Sequence, residues 1–241
     1  MNEDVMLVEN IEVEGTYPEG GLISVWTLNR PDKLNSLNSE SHVALKEACS
    51  MAESNDLIRV IVIRGAPPKF PPEGKRPKPV SFAAGADISE FLGKNSDDVR
   101  DFFEDNAWER VWNLTKPTIA MVDGFALGGG FEICMACDLR VISSKAAVGL
   151  PETSLGILPG WGGTVRLPRL IGYTAAVNWI TSGGQHNPRD AQAAGAVDMV
   201  VEPDLLRTEA LQALQEMVDG NREYQARREQ KLSALTMSEA E

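Results

Sequence analysis

The chain has 241 residues, 43% of them hydrophobic, which is enough for one large domain or a domain with a smaller appendage. Its net charge of −12 argues against a nucleic-acid partner, because a protein that binds nucleic acid needs a basic face. Three cysteines are too few for a disulfide scaffold and indicate a reducing compartment. The acidic amino end lacks the positive region of a signal peptide, and no apolar run reaches the ~20 residues of a membrane span. We therefore expect a cytoplasmic protein without a membrane partner.

The first half of the chain favours strands and one helix. β-branched and aromatic residues predict strands around residues 7–13 and at 22–28. A helix is expected from Ser39, an acceptable N-cap, because apolar residues then recur at helical spacing. Those residues are Val43, Leu45, Ala48 and Met51. The β-branched run at 60–65 predicts a strand covered on both faces of its sheet.

The same alternation returns later in the chain. Strands are predicted at 118–122 and from Leu139, with an apolar helix after Gly130 between them. Strands that alternate with helices imply crossover connections and a largely parallel sheet, so the predicted fold class is α/β. After Gly160 the periodicity becomes mainly helical.

A proline-rich segment at 67–80 interrupts this pattern. It contains six prolines and four basic residues, so it cannot form a helix or an inner strand. We expect an exposed, extended loop. A solvated surface insertion is the simplest interpretation; the alternatives are a cationic rim for a phosphate-bearing ligand and a docking arm for a partner protein.

Two segments rich in small residues are candidates for anion binding. Glycines 128–130 lie between a predicted strand and a helix, where backbone N–H groups have no helical acceptor. Ala86, in the segment 81–91, is placed to offer a second N–H group, and two such donors make an oxyanion hole. A tight turn and close loop packing are the competing interpretations.

Glu132 and Glu152 both lie in apolar stretches next to glycine-rich turns. One such glutamate alone is more often a structural carboxylate, but two with different environments suit a general base and a general acid. No metal is expected, because Cys134 and Cys137 lack a second Cys or His pair. Motifs for a nucleophile elbow, a Rossmann loop or a P-loop do not occur in the sequence.

With these residues in view, the chain resembles the enoyl-CoA hydratase/isomerase (crotonase) superfamily. The matching stretches are NRPDKLNSL at 29–37, FAAGADISEF at 82–91, KPTIAMVDGFALGGGFEICMACDLRV at 116–141 and LPETSLGILPGWGGTVRLPRLIG at 150–172. Residues 178–201 and 224–235 look most like the hydratase half of bacterial multifunctional fatty-acid oxidation α-subunits.

The resemblance implies a spiral of ββα repeats followed by a helical carboxyl-terminal region. We assign the spiral α/β core to residues 1–185, with the proline-rich loop at 67–80 inserted in it. The helical region is expected at 186–241, shorter than in relatives. The resemblance also implies a homo-oligomer, a trimer or hexamer, or a part of a larger multifunctional chain.

The resemblance further implies an oxyanion hole formed by the backbone N–H groups of Ala86 and Gly129. Glu132 would deprotonate water, and Glu152 would deliver a proton to C2 of the acyl chain. Contacts with the acyl-CoA substrate are expected from Lys33, Leu34, Ala83, Ala84, Gly85, Asp87, Gly160 and Trp161. For Trp161, plain core packing is the competing interpretation.

The expected activity is hydration of a 2-enoyl-CoA thioester, with coenzyme A as part of the substrate and no separate cofactor. Two carboxylates favour hydration over a Δ3-Δ2 isomerase, which needs one. A dehydratase of a carrier-protein-bound acyl thioester is a further alternative. From a different class, a non-catalytic acyl-CoA-binding scaffold would keep the fold and use the loop at 67–80 to dock a partner.

Overall fold

The computed structural model describes residues 4–12, 21–71, 73–95, 97, 100, 105–218 and 224–233. The strands are β1 (Met6–Glu12), β2 (Leu22–Leu28), β3 (Ile58–Gly65), β4 (Ser81–Ala83), β5 (Thr118–Val122), β6 (Phe125–Leu127), β7 (Leu139–Ser143), β8 (Ala147–Gly149), β9 (Gln185–His186) and β10 (Met199–Val201). The α-helices are α1 (Ser39–Ser54), α2 (Ala107–Asn113), α3 (Gly129–Ala136), α4 (Gly163–Ile171), α5 (Tyr173–Ser182), α6 (Pro188–Ala194), α7 (Leu206–Val218) and α8 (Tyr224–Leu232). Short 3-10 turns occur at Pro31–Lys33, Ile88–Phe91 and Pro151–Leu155.

The described strands form two sheets. The larger has the order β1-β2-β3-β5-β7-β10, in which β1 is antiparallel to β2 and the other pairs are parallel. The smaller has the order β4-β6-β8-β9, with β9 antiparallel to β8. Successive strand pairs β3–β4, β5–β6 and β7–β8 each give one strand to each sheet, so the chain advances as a spiral. The predicted α/β spiral fold is confirmed.

The larger sheet is covered on both faces at β3, as the run at 60–65 predicted. Ile61 and Ile63 of β3 point into a core with Trp26, Trp108 and Phe131. Alternate residues of β3 point the other way, into a second cluster that α7 closes; its members include Val60, Val62, Leu139, Ala210 and Leu214. Because both faces of β3 are buried at positions 60–63, a β-branched residue is suitable at each of these four positions.

The start and the buried face of α1 differ from the prediction. The N-cap is Asn38 rather than Ser39, because Asn38 Oδ1 accepts a hydrogen bond from Ser41 N at 3.0 Å. Ser41 Oγ in turn accepts from Asn38 N, which completes a reciprocal cap. Val43 and Met51 are each 51% exposed. The buried apolar face consists of Leu45, Ala48, Cys49 and Ala52.

The segment 67–80 forms no helix or strand where the structure describes it, and most of its side chains are exposed. This confirms the predicted exposed loop. Lys69 Nζ lies 3.6 Å from Asp32 Oδ2 of the 3-10 turn at Pro31–Lys33, but both side chains are exposed, so this ion pair holds the base of the loop only weakly.

The last helical stretch divides into α4 and α5, separated at Gly172, whose φ is 81°. Helices α6, α7 and α8 follow, but β10 also lies in this region and pairs with β7. The division of the chain at residues 185 and 186 therefore stays a prediction. None of the helices in the described ranges combines the length and apolarity needed to cross a membrane.

Candidate active site

A cavity of about 540 Å³ lies where the loop after β4, the start of α3 and the segment after β8 meet. Its polar lining comes from Ala86, Gly128, Gly129, Glu132, Glu152 and Gly160. The cavity therefore brings together both predicted oxyanion donors and both predicted catalytic glutamates, which lie up to 66 positions apart in sequence. The geometry at each of these groups decides what the cavity can do.

The loop after β4 presents the N–H group of Ala86 to the cavity. Its neighbours are engaged by the fold: Ala84 N donates to Leu34 O at 3.1 Å, and Asp87 N donates to Leu37 O at 2.8 Å. Ala86 N donates to no acceptor in the described part of the chain. Backbone bonds on both sides thus hold this loop and leave one donor for a ligand.

Gly129, the first residue of α3, offers the second donor. Within the described ranges its N–H has no protein acceptor, as expected in the first turn of a helix. Gly128, with φ 50° and ψ −128°, turns the chain into the helix. A Cβ on Gly128 would lie 2.7 Å from Glu152 Oε1, so a side chain at this position would displace the Glu152 carboxyl from the cavity. Trp108 Nε1 donates to Gly129 O at 2.7 Å and fixes this peptide.

Glu132, on the first turns of α3, is 1% exposed. Its Oε1 accepts hydrogen bonds from Trp161 N at 2.9 Å and Gly163 N at 2.7 Å. Its Oε2 is buried and has no partner among the described residues. Burial raises the pKa of this carboxyl to about 7; the hydrogen bond from Gly163 opposes the rise, and the charge of Glu152 adds to it. Glu132 is thus a carboxyl poised between two protonation states near neutral pH.

Glu152 lies on the 3-10 turn Pro151–Leu155, which Gly156 ends in the left-handed conformation. Its side chain is largely buried, and Oε2 has no partner in the described part of the chain. Burial raises the pKa of this carboxyl above its usual value. The cavity therefore holds two carboxyls that favour the proton-bound form more than an exposed glutamate does, and each keeps one oxygen available.

The rest of the cavity wall is apolar, and Trp161 closes one side of it. The apolar side chains are Ile88, Phe91, Leu155, Ile157 and Leu158. Trp161 is 7% exposed and stacks on Trp108, with ring centroids 4.2 Å apart and 12° between the planes. Its indole thus belongs both to the cavity wall and to the core, so the two interpretations of this residue are compatible.

Four of the expected substrate residues do not line this cavity. Ala83 is fully buried in β4. Asp87 forms an ion pair with Arg30 at 2.8 Å; a hydrogen bond from Ser89, and then the bond from Arg30, lower the pKa of Asp87. Lys33 lines a separate, open groove with Lys69, next to the turn that carries Leu34. Whether these residues contact a substrate stays a prediction, whereas Ala84, Gly85, Gly160 and Trp161 do line the cavity.

Sequence reasoning missed two parts of the site. The apolar wall at Leu155, Ile157 and Leu158 had a signal in the sequence, because three large apolar residues in a glycine- and proline-containing loop are unusual. Arg166, which donates to Trp161 O, had no signal that set it apart from other basic residues on amphipathic helices. In the described ranges no group of three His, Cys, Asp or Glu side chains has a geometry for holding a metal ion.

The spiral α/β fold thus brings two unengaged amides and two buried carboxyls to one apolar cavity, an arrangement that can stabilise a developing negative charge beside two proton-transfer groups. A model of the enoyl-CoA hydratase/isomerase family matches residues 19–240. The chain belongs to this family. This confirms the family resemblance carried by the motifs.

The curated and solved relatives agree with this assignment. The fatty acid oxidation complex subunit alpha of Colwellia psychrerythraea (strain 34H) is 44% identical over 174 residues, 67% of this chain but 23% of that protein. An enoyl-CoA hydratase structure from Bacillus anthracis has a TM-score of 0.76 and 33% identity, covering 94% of this chain and 81% of that one. DspI from Pseudomonas aeruginosa has a TM-score of 0.75 and 29% identity, covering 94% and 84%. The chain thus spans under a quarter of the curated relative.

Proposed function

We propose that this chain is an enoyl-CoA hydratase, which adds water across the 2,3 double bond of a 2-enoyl-CoA thioester. The observation that carries the proposal is the pairing of two buried carboxyls, each with an unpartnered oxygen, with two unengaged amides in one apolar cavity. Family membership and the hydratase names of the relatives support it. Coenzyme A enters as part of the substrate, and no separate cofactor takes part in the proposed chemistry.

In the proposed mechanism, the thioester oxygen lies between the N–H groups of Ala86 and Gly129. When water oxygen bonds to C3, the electron pair of the double bond moves toward the thioester and negative charge develops on that oxygen. The two amides are already oriented, so they stabilise this charge more than they stabilise the neutral carbonyl of the ground state. This difference is what lowers the barrier.

The two glutamates carry the protons. Ionised Glu132 accepts a proton from the attacking water, and protonated Glu152 donates a proton to C2, so one molecule of water is added in total. Burial raises the pKa of both groups, which helps Glu152 to keep its proton and makes Glu132 a stronger base than an exposed glutamate. Exchange of one proton with solvent restores the starting state.

The coenzyme A portion is proposed to leave the cavity past the loop at Ala84–Ala86 and to reach the open groove near Lys33. This groove, of about 260 Å³, is also lined by Arg30, Lys69, Asp32 and Glu40. Arg30 and Lys69 are ion-paired with Asp87 and Asp32, so Lys33 is the cation proposed to meet a phosphate group. We also propose that the chain acts in the cytoplasm, either as a homo-oligomer or as part of a larger multifunctional chain.

The test compares hydration of crotonyl-CoA by the wild type with hydration by Glu132→Gln and by Glu152→Gln. The reaction is measured as the loss of the enoyl-thioester absorbance. Each substitution is expected to lower kcat by about 10²- to 10⁴-fold, because general acid–base catalysis contributes that much. Glu47→Gln, at an exposed position of α1, is the matched control and should keep full activity.

Wild-type rates in both site variants would contradict the proposed roles. Comparing coenzyme A and carrier-protein thioesters distinguishes the hydratase from a carrier-protein dehydratase, and a 3-enoyl substrate measures any isomerase activity. Tight acyl-CoA binding without turnover of any thioester would instead support the non-catalytic scaffold.

A further inference from the structure

Glu132 depends on the turn at residues 161–163 for its orientation. Both hydrogen bonds to Glu132 Oε1 come from this turn, from the N–H groups of Trp161 and Gly163. With Oε1 fixed in this way, Oε2 is the oxygen left for a ligand. A small rotation of either peptide would therefore turn the carboxyl away from the reacting atoms.

Arg166 holds the turn from the other side. Its Nη1 donates to Trp161 O, and its backbone N donates to Gly162 O at 2.7 Å. Gly162 has φ 104°, and a Cβ there would collide with the Arg166 guanidinium. The guanidinium thus packs directly against the turn, which is possible because this position is glycine.

Helix α2 in turn fixes Arg166. Glu109 Oε2 accepts from Arg166 Nη2 at 2.9 Å, and the guanidinium lies over the ring of Trp112, 5.0 Å from its centroid. The side chain of Arg166 is 3% exposed, so these contacts replace its hydration. The same helix carries Trp108, which holds the carbonyl of Gly129. One helix of seven residues therefore supports both the oxyanion donor and the turn that holds the carboxyl.

We infer that Arg166 is a positioning residue, which fixes the turn at 161–163 and through it the orientation of Glu132. The inference rests on the proposed function, in which Glu132 is the base that accepts the proton of water. Arg166 itself does not line the substrate cavity; it lies behind Trp161 and acts through the peptides of the turn.

The charge of Arg166 supports this role. Burial is the main cause of the raised pKa of Glu132, and the positive guanidinium acts in the opposite direction. Loss of Arg166 is therefore expected to raise the pKa of Glu132 further and to leave the buried carbonyl of Trp161 without this donor. The first effect is electrostatic, so it gives a readout that a loss of packing would not produce.

The experiment compares the wild type with Arg166→Gln and Arg166→Lys, using crotonyl-CoA over a range of pH. In Arg166→Gln, kcat is expected to fall about 10- to 100-fold, as misplacement of a catalytic group by about 1 Å does, with a smaller change in KM. The acid limb of kcat/KM is expected to move to higher pH by less than about one unit, because burial and the Gly163 hydrogen bond influence the pKa of Glu132 more than the guanidinium does. Arg166→Lys keeps the charge but not the planar fork, so its acid limb should move less while kcat still falls.

Arg169→Gln is the matched control. Arg169 lies one turn further along α4, and its Nη1 donates to the carbonyl of Val165 rather than to the turn at 161–163. This variant should keep the wild-type kcat and acid limb. Wild-type kcat and an unmoved acid limb in a folded Arg166→Gln protein would overturn the inference.

Two further measurements keep the test decisive. If Arg166→Gln does not fold, Glu109→Gln can be used, because it removes a partner of the same guanidinium at an exposed position. A several-fold fall in kcat is expected for Glu109→Gln. Unchanged kinetics in both Glu109→Gln and Arg166→Lys would overturn the inference. Carbon-13 NMR titration of the Glu132 carboxyl, assigned with Glu132→Gln, follows the pKa without turnover. A higher pKa in Arg166→Gln together with an inactive wild type would refute the proposed function and still show that Arg166 acts on the Glu132 carboxyl.

Discussion

Replacing Glu132 by glutamine is expected to make the folded protein more stable at pH 8 while it removes activity. The reason is that burying an ionised carboxyl costs free energy. This cost raises the pKa of Glu132 from 4.5 to about 7. The folded state holds this proton more tightly than the unfolded state. Stability is therefore lost as pH rises from about 4.5 to about 7, and the loss is complete above that range.

The magnitude follows from the two pKa values. Each tenfold change in proton affinity is worth about 1.4 kcal/mol. A rise in the pKa of Glu132 from 4.5 to about 7 therefore corresponds to about 3 kcal/mol. Glutamine does not ionise, and its amide oxygen can still accept from the N–H groups of Trp161 and Gly163. The difference in unfolding free energy between Glu132→Gln and the wild type should therefore grow by about 3 kcal/mol between pH 4 and pH 8.

Urea unfolding of both proteins at a series of pH values measures this change. Effects of the amide group that do not depend on pH cancel when the two ends of the series are compared. Glu47→Gln, which removes the same charge from an exposed position, serves as the control. A stability difference that stays constant across the series would refute the reasoning that burial of Glu132 is costly.

Two other predictions concern Trp161 in the cavity wall and the buried side-chain amide of Asn35. Trp161→Ala opens the cavity wall toward Trp108 and His42. The ratio of kcat/KM for a long-chain enoyl-CoA to kcat/KM for crotonyl-CoA should therefore rise about tenfold or more. An unchanged ratio would mean that Trp161 does not limit the length of the acyl chain. Asn35 is 2% exposed, and its amide donates to two backbone carbonyls at 2.9 Å and 2.7 Å. Asn35→Ala should lower the free energy of unfolding by about 2 to 4 kcal/mol in urea, whereas a loss near zero would show that these bonds are replaced.

The local elements followed from the sequence because their causes are local. The β-branched run of β3 and the glycines before α3 limit the backbone wherever the chain is placed. The proline-rich loop at 67–80 was identified for the same reason. The cap of α1 was misplaced by one residue, because Asn38 and Ser39 are both good cap residues and only the hydrogen bond to Ser41 distinguishes them.

The candidate residues were also found from sequence, through the motifs and the family resemblance that they carry. Ala86, Gly129, Glu132 and Glu152 were all named, and the structure brings all four to one cavity. The sequence did not identify the free oxygen of each glutamate, because that depends on which peptides reach the carboxyl from elsewhere in the chain.

The amino-acid sequence alone thus predicted the fold class and the family and named four candidate site groups, because residue types and their spacing carry the motifs of the family. Only the tertiary structure decided the state of those groups. The raised pKa of Glu132 comes from burial, and its orientation comes from a turn about 30 residues away that Arg166 and helix α2 hold in place. Burial and long-range hydrogen bonds depend on how the whole chain packs, so no local pattern records them.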